Sequence, residues 1–428
     1  MQIKSKNIRA SYLLMSISFL WAITLCPPIF ANSEENILNV LFTRQSEKPL
    51  SFSIIDVNRN DINEVVISDN GFLRAYEWSV AKFVEKWKST QYSYVLPGSA
   101  DDRAKSMTVN AVSTVFPVQY KSGDSMKRTL LFYAQPVPKK SDMFELYYHN
   151  GNYSVQKRLD MLPSTRSPYQ ICDDQTTTLL GKKSEKGKDQ IAAYAWNGNE
   201  IIEKWPGISG YKGALPGQLY ITPTTKKNIV LLLGSENSIL YCDKSQYHTK
   251  AIGKIASPFP GYNDGRSVVG ITKKESLGEL WTIEIPIIES AFFYKLYMAQ
   301  FSGTEFSPFK KINIRGINTD RVSTIIIVDL DNDGVGEIIG SEVAGTLISP
   351  KEGEGPELKN ERSYIFVAKW DGTEYVLKWR HLAADSVLQK ISVDDVTGDG
   401  KKEIIAVGSS LANSNYYLYV FSMPVIEK

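Results

Sequence analysis

The chain is poor in cysteine and in histidine. Three residues of each type occur among its 428 residues. So few cysteines cannot form a disulfide framework, and the fold must therefore be stabilised by its own hydrophobic core. The histidines (His149, His248 and His381) lie far apart in the chain, and a lone histidine beside a strand is more often structural than catalytic. Serine-elbow, paired-histidine zinc and phosphate-loop motifs are also missing, so the sequence shows no catalytic constellation.

An excess of charge of one sign is also lacking. The 49 basic and 47 acidic residues leave a formal net charge of +2. Residues 1–31 place Lys4, Lys6 and Arg9 before an apolar run, which is the order of a cleavable signal peptide. Removing this segment takes away three positive charges and changes the net charge to −1. A mature chain without a basic field is not expected to bind nucleic acid.

The apolar run from Tyr12 to Leu25 is shorter than the ~20 residues that span a bilayer. We therefore expect it to be cleaved rather than to anchor the protein. Cys26 raises the alternative of a lipid anchor, but Leu25 stands where an acylation signal has a small residue. The expected product is a secreted or periplasmic chain, residues 32–428, without a transmembrane segment.

A repeat with two aromatic anchors organises the mature chain. Trp196-Asn-Gly-Asn-Glu-Ile-Ile-Glu-Lys-Trp205 is closely matched by the segment from Trp370 to Trp379, and Trp78 and Trp87 have the same separation. Weaker copies begin at His149, Cys242, Phe301 and Phe421. The seven frames recur about every 57 residues, a spacing that suits one blade of four strands.

The pattern of each frame is typical of the outer hairpin of such a blade. Aromatic and β-branched residues precede the anchor, and turn pairs such as Asn150-Gly151 and Asp371-Gly372 follow it. Continuous β-branched runs upstream fit strands buried on both faces. We therefore predict an all-β fold, a seven-bladed β-propeller of four-stranded antiparallel blades in one domain, residues 32–428. A two-sheet sandwich is the alternative, which seven equal modules fit less well.

The two ends of the chain are expected to meet in one blade. The last frame stops at Lys428, before a complete outer strand, while residues 37–43 form a strand that no frame uses. Because natural proteins avoid open sheet edges, we expect residues 37–43 to pair beside the 416–428 hairpin.

Two cysteines remain in the mature chain. Export permits a disulfide between Cys172 and Cys242, and two buried thiols are the alternative. Cys172 begins the third module, whereas Cys242 is the anchor of the fourth. We therefore expect them at different distances from the propeller axis, without a disulfide.

Three nine-residue loops carry oxygen-bearing side chains on alternate residues. The candidate ligands are Asp329, Asp331, Asp333 and Glu337; Asp395, Thr397, Asp399 and Glu403; and Asp56, Asn58, Asn60 and Glu64. Calcium takes six to eight oxygen ligands, and alternation on a tight turn aims successive side chains at one point. Gly334 and Gly400 permit the sharp turn, whereas Asp61 stands at that place in the third loop. The pattern predicts calcium, and solvated acidic turns are the alternative.

These loops resemble the Asp-x-Asp-x-Asp-Gly-x-x-Asp/Glu loops of the FG-GAP and VCBS repeats, which occur in integrin-α-like propellers and many secreted bacterial proteins. The Trp370-Asp-Gly hairpin is also similar to that family. The resemblance implies a propeller with calcium in its blade loops, and as an architecture it covers nearly the whole mature chain. The loop motif itself appears in three of the seven modules.

The sequence favours a non-enzymatic binding, adhesion or scaffold module. We expect a protein or carbohydrate ligand, and the chain is expected to be a monomer. Two other functions stay open: a hydrolase or lyase that acts on extracellular polymers, and a structural component of an envelope assembly. The repeated tryptophans could stack on carbohydrate, but their fixed place in the repeat favours packing between blades.

Overall fold

The computed structural model describes residues 37–96, 107–110, 112–137, 140–159, 164–169, 171–172, 176–185, 188–209, 211–222, 225–234, 237–252, 266–270, 279–284, 295–300, 310–331, 333, 336–348, 357–410 and 415–424. The predicted signal peptide, residues 1–31, lies outside these ranges. All regular elements in this part of the chain are strands, so the fold class is all-β, as predicted. The same residues contain no helix that is long and apolar enough to cross a bilayer.

The strands of the described residues form seven four-stranded antiparallel sheets, here named sheets 1 to 7, and one two-stranded sheet. In chain order they begin with β1 (Val40–Ser46), which belongs to sheet 7. Sheet 1 contains β2 (Ser51–Ile55), β3 (Glu64–Asp69), β4 (Phe72–Ser79) and β5 (Lys82–Lys88). The two-stranded sheet contains β6 (Ser93–Leu96) and β7 (Met107–Asn110), and sheet 2 contains β8 (Val112–Ser122), β9 (Ser125–Val137), β10 (Lys140–His149) and β11 (Asn152–Leu159).

Sheet 3 contains β12 (Ser164–Tyr169), β13 (Thr178–Glu185), β14 (Lys188–Trp196) and β15 (Ile201–Ser209). Sheet 4 contains β16 (Tyr211–Thr222), β17 (Thr225–Gly234), β18 (Asn237–Asp243) and β19 (Gln246–Ile252). Sheet 5 contains β20 (Arg266–Gly270), β21 (Glu279–Glu284), β22 (Lys295–Gln300) and β23 (Lys310–Lys311). Sheet 6 contains β24 (Val322–Val328), β25 (Glu337–Ile348), β26 (Glu357–Trp370) and β27 (Tyr375–Ala384), and sheet 7 contains β28 (Val387–Asp394), β29 (Glu403–Ser409), β30 (Tyr416–Ser422) and β1.

The position of a strand in its sheet follows its sequence pattern. β3 and β29 are largely β-branched runs in the interior of their sheets, and every residue of both is buried. The edge strand β5 is mostly polar and exposed, with Phe83 buried. The predicted two-residue turn joins β10 to β11, where Asn150 and Gly151 have φ values of 50° and 79°.

Each sheet contacts the next along the chain. Buried clusters bridge sheets 1 and 2, 2 and 3, 3 and 4, and 6 and 7. β20 of sheet 5 contacts β16 of sheet 4 and β24 of sheet 6. A further cluster packs Leu418 and Val420 of β30 against Val65 and Ile67 of β3. Sheet 7 therefore packs against sheet 1, and the order of contacts returns to its start.

The first strand of the chain completes the last sheet. β1 pairs antiparallel with β30, from Val40 opposite Phe421 to Ser46 opposite Tyr416. The paired strand begins three residues later than the predicted segment 37–43. Arg44 of β1 also reaches sheet 1, where its guanidinium lies 2.7 Å from the buried carboxylate of Asp69. β1 thus covers the edge that β30 would otherwise leave open.

The expectation that the two cysteines stay reduced is wrong. Cys172 and Cys242 form a disulfide, with their Cα atoms 4.9 Å apart. Cys172 lies between β12 and β13 rather than in a strand, so its position in the repeat does not fix its distance from sheet 4. Ile171 and Cys172 pack against Leu240 and Cys242 of that sheet. The disulfide therefore joins sheets 3 and 4.

The seventh frame is displaced by two residues from the sequence interpretation. In sheet 6, Ile338 pairs with Ala368, so Glu337 lies beside Lys369. Lys369 is the residue immediately before the anchor Trp370. In sheet 7, Glu403 pairs with Ser422. Met423 rather than Phe421 therefore holds the anchor position.

Two other parts of the repeat are changed or not described. Residues 345–362, between the sheet 6 loop and the anchor Trp370, are in part strand, because β25 extends to Ile348 and β26 begins at Glu357. The frame predicted from Phe301 to Lys310 lies almost wholly outside the described residues, which resume at Lys310 in β23.

Candidate metal loops and an adjoining cleft

The three acidic loops occupy equivalent places and share one internal hydrogen bond. Each joins the first strand of its sheet to the second, in sheets 1, 6 and 7. In each, the closing glutamate accepts a hydrogen bond from the backbone N–H of the second loop residue. The distances are 2.7 Å from Val57 to Glu64, 2.8 Å from Leu330 to Glu337 and 3.0 Å from Val396 to Glu403. The three motifs are therefore copies of one turn.

The closing glutamates are buried carboxyl groups. Glu64, Glu337 and Glu403 are at most 4% exposed. Burial raises the pKa of each above its usual value, although backbone hydrogen bonds partly oppose it. A cation beside such a group would favour its ionised form.

Carboxylates converge in the loop of sheet 6. Within the described part of the chain, Asp329, Asp331 and Asp333 are the acidic group whose oxygens lie close enough, within 4.8 Å of one another, to share an ion. The Lys369 ammonium of β26 lies among them. It donates to Asp331, to Asp333 at 2.8 Å, and lies 3.2 Å from Glu337. Burial alone would lower the pKa of Lys369, but these acidic neighbours raise it.

The loop of sheet 7 is organised by its own backbone. Asp395 and Asp56 hold the first position of their loops, and each accepts hydrogen bonds from two backbone N–H groups further along. Thr397 donates through its hydroxyl to Glu403 at 3.3 Å. Asp399 is exposed at the tip, where a backbone N–H bond lowers its pKa. The backbone thus presets the turn in which these oxygens lie.

The loop of sheet 1 directs its amides to a carboxylate on a neighbouring strand. Asn58 and Asn60 donate through Nδ2 to Glu77 of β4, at 2.6 and 2.8 Å. Tyr153 of sheet 2 donates its hydroxyl hydrogen to Glu64. These side chains are oriented by protein partners, and a metal at Asp56, Asn58, Asn60 and Glu64 stays a prediction.

The residue beside the closing glutamate differs in charge among the three sheets. Strand register places Lys369, Glu77 and Ser422 there in sheets 6, 1 and 7. The sheet 6 loop has four candidate carboxylates beside a lysine, the sheet 7 loop has three beside a serine, and the sheet 1 loop has two beside a glutamate. The ligand set and this neighbour together carry a net charge of −3 in sheets 6 and 7, whereas Lys86 pairs with Glu77 and leaves −2 in sheet 1.

The three loops lie next to one another. Lys402 of the sheet 7 loop donates through Nζ to the backbone oxygen of Asp329 in sheet 6, at 3.1 Å. Asn63 of the sheet 1 loop donates through Nδ2 to the backbone oxygen of Asp395 in sheet 7, at 2.9 Å. An ion in one loop would therefore also order residues that contact the next.

A polar cleft of about 410 Å³ adjoins the sheet 1 loop. Asn58, Asn60 and Glu77 lie on its sheet 1 side. Lys86 and Trp87 of β5 complete that side, and Tyr148, Asn152 and Tyr153 of sheet 2 face them. The cleft therefore has aromatic rings, amides and a charged pair within one small volume.

The interactions that sequence reasoning missed all cross between strands or sheets. Lys369 and Glu77 reach the loops by strand register, and Tyr153 does so from the next sheet. Trp78 and Trp196 pack in clusters between two sheets, as expected, whereas Trp370 packs against its own sheet and residues 312–317. Two histidines also make ring contacts, His248 with Tyr241 and His381 with Trp379.

No family profile and no curated protein matches this sequence. Among solved structures, it is similar to BBS1N crystallised in complex with ARL6DN, at 10% identity and a TM-score of 0.49, over 92% of this chain and 99% of that chain. It is also similar to Saccharomyces cerevisiae Sqt1, at 10% identity and a TM-score of 0.44, over 92% and 98%. The Aleuria aurantia lectin, a six-bladed β-propeller that recognises fucose, shows 12% identity and a TM-score of 0.37 over 78% and 95%. All three TM-scores lie below 0.5, so these likenesses assign no function to this chain.

Proposed function

We propose that the chain is an exported, calcium-stabilised β-propeller that acts as a non-enzymatic binding module for a protein or a glycan. The seven sheets would be its blades, and β1 would close the ring by completing sheet 7. The cyclic order of sheet contacts and the pairing of β1 with β30 support this architecture. The calcium loops fit the FG-GAP and VCBS type that the sequence resembles.

Export is supported by the disulfide between Cys172 and Cys242. Disulfides persist in oxidising compartments and are rare in the reducing cytosol. A secreted or periplasmic location, after removal of residues 1–31, is therefore proposed. Mass spectrometry of the purified protein tests it, since a mature N-terminus near residue 32 is expected and an intact Met1 would contradict it.

Calcium is proposed to stabilise the loops of sheets 6 and 7. The carboxylates of Asp329, Asp331 and Asp333 already lie close together, and an ion among them would relieve their repulsion. Binding to the folded loop stabilises the fold by ~2.7 kcal/mol at a hundredfold excess over Kd. Calcium should therefore raise the melting temperature of the wild type.

Asp333→Ala should reduce that rise, and in chelator it should cost at most about 1 kcal/mol, because Asp333 is 42% exposed in its pair with Lys369. Asp385, whose side chain is 83% exposed outside the acidic loops, supplies the control variant Asp385→Ala. A wild-type melting temperature that chelator leaves unchanged would contradict the calcium proposal.

The cleft between sheets 1 and 2 is the observation that carries the binding function. Ligand sites are usually concave and orient the ligand through convergent polar groups, and this cleft sets amides and a charged pair beside three aromatic rings. Affinity capture from envelope and secreted fractions, with and without chelator, tests the proposal. We expect a protein or glycan to be retained by the wild type and lost with Tyr148→Ala. Equal retention by both baits, or none by either, would contradict it.

A further inference from the structure

We infer that the cleft between sheets 1 and 2 binds an uncharged sugar; this inference rests on the proposed binding function and names its ligand. The cleft joins a row of aromatic rings to a set of oriented amides and a paired charge.

The aromatic row provides a stacking surface. Tyr153 lies at its centre, 6.2 Å from the ring of Trp87 and 5.0 Å from the ring of Tyr148. Trp87 is half-buried, and Tyr148 is 36% exposed. Trp87 therefore both packs between the sheets and presents a face to the cleft. The C–H face of a sugar ring is apolar enough to lie on such a surface, while its hydroxyl groups stay available for hydrogen bonds.

The amides beside this row are held in fixed orientations. Asn58 donates both of its amide hydrogens, to Glu77 and to the hydroxyl oxygen of Tyr153, and Asn60 donates one to Glu77. Asn152 is tied back by a bond from its Nδ2 to the backbone oxygen of Asn150, at 3.1 Å. An amide supplies two donor hydrogens and an acceptor oxygen, and a hydroxyl group both donates and accepts. The second amide hydrogens of Asn60 and Asn152 are therefore the donors that sugar hydroxyls can meet, and preset side chains lose little entropy on binding.

The charges of the cleft compensate each other. Lys86 forms an ion pair with Glu77 at 2.8 Å, so the cleft contains one cation and one anion in contact. A charged ligand would have to break this ion pair by replacing the residue of its own sign. The displaced residue would then repel the ligand. An uncharged ligand keeps the pair intact and uses the amides.

The size of the cleft favours a small ligand over a protein surface. Its volume of about 410 Å³ falls within the range of roughly 300–1,000 Å³ that small-molecule sites occupy. A stable protein interface buries about 800 Å² on each partner, which needs a broad surface rather than a single cleft.

The test is an array of neutral, sialylated and uronic-acid oligosaccharides, followed by calorimetric titration with the strongest neutral binder. Tyr148→Ala and Asn152→Ala should each weaken binding about tenfold or more, since both remove side chains that line the cleft. Tyr241→Ala is the matched control, because Tyr241 also stands immediately before a frame anchor but lies in sheet 4. It should leave the affinity unchanged. Thermal unfolding of all three variants shows that each is folded when assayed.

An array without neutral binders would overturn the inference, as would a preference for the acidic glycans or equal affinity in the wild type and both cleft variants. If affinity capture returns a protein that Tyr148→Ala fails to retain, while the array shows no sugar, the ligand assignment fails and the binding function stands. If neither experiment finds a ligand, both fail.

Discussion

The substitution Lys369→Met tests whether the ammonium of Lys369 occupies the place that a calcium ion would take in the sheet 6 loop. Lys369 places its ammonium against Asp331, Asp333 and Glu337. Methionine keeps an unbranched apolar stem in the same space and removes the charge. In chelator, the variant loop would hold its carboxylates without compensation, one of them on the buried Glu337.

The size of the effect follows from the burial of the groups involved. Removing one partner of a buried ion pair costs about 3–5 kcal/mol. Glu337 is buried, but the side chains of Lys369 and Asp333 are 20% and 42% exposed, so solvent weakens the interaction. We therefore expect a loss of about 3 kcal/mol. Unfolding entropy of about 2 cal/mol/K per residue over residues 38–428 converts this to a fall of about 4 °C in melting temperature.

Calcium should reverse this loss. In the wild type an entering ion must displace the ammonium of Lys369, whereas in the variant the oxygens are already free of it. The variant should therefore bind calcium more tightly, and excess calcium should raise its melting temperature more than that of the wild type.

Differential scanning calorimetry in chelator and in excess calcium measures both effects. Lys378→Met, at an exposed lysine of β27, is the control for the loss of a positive charge. A deficit for Lys369→Met that is the same in chelator and in calcium would refute the reasoning. It would show that the ammonium stabilises the strands without occupying an ion site.

Three further predictions concern the stability of the fold. Serine at both Cys172 and Cys242 should lower the free energy of unfolding by up to about 4 kcal/mol in urea denaturation, because the disulfide closes a loop of 70 residues. Two reactive thiols in the unreduced, denatured wild type would contradict the disulfide. Arg44→Ala should cost about 1–2 kcal/mol in the same assay, since Asp69 is buried while Arg44 is 36% exposed, and Lys48→Ala should stay within about 0.5 kcal/mol. Gly207→Ala should cost about 2 kcal/mol more than Gly123→Ala: both glycines have positive φ, but only at Gly207 would the new Cβ meet backbone, 2.1 Å from the oxygen of Ile191. Equal losses for the two glycine variants would count against that contact.

Local chemistry made much of the fold predictable. The turn at Asn150-Gly151 and the buried strand β29 depend on residues that are neighbours in the chain, so spacing and composition were sufficient. The strand that pairs with β30 could also be found, because the last frame lacks an outer strand.

The features that could not be predicted depend on how strands are aligned. Lys369 follows Asp333 by 36 residues and meets it only because of the register between β25 and β26. The disulfide was missed for a similar reason, since Cys172 leaves its own sheet to reach the next one. The cleft is formed by residues of two sheets. Its lining residues are far apart in the sequence, so the sequence does not indicate that they lie together.

Sheet 7 draws one strand from the beginning of the chain and three from its end. During synthesis, β1 emerges first and has no partner until β30 follows some 370 residues later. The chain therefore cannot reach its final topology from a partial product, and a truncated molecule leaves both sheet 7 and its contact with sheet 1 unfinished. Conversely, β1 and β30 are adjacent, so joining the start of β1 to the end of β30 and opening the chain at an exposed turn such as Gly123-Asp124 should give a circular permutant with the same sheets.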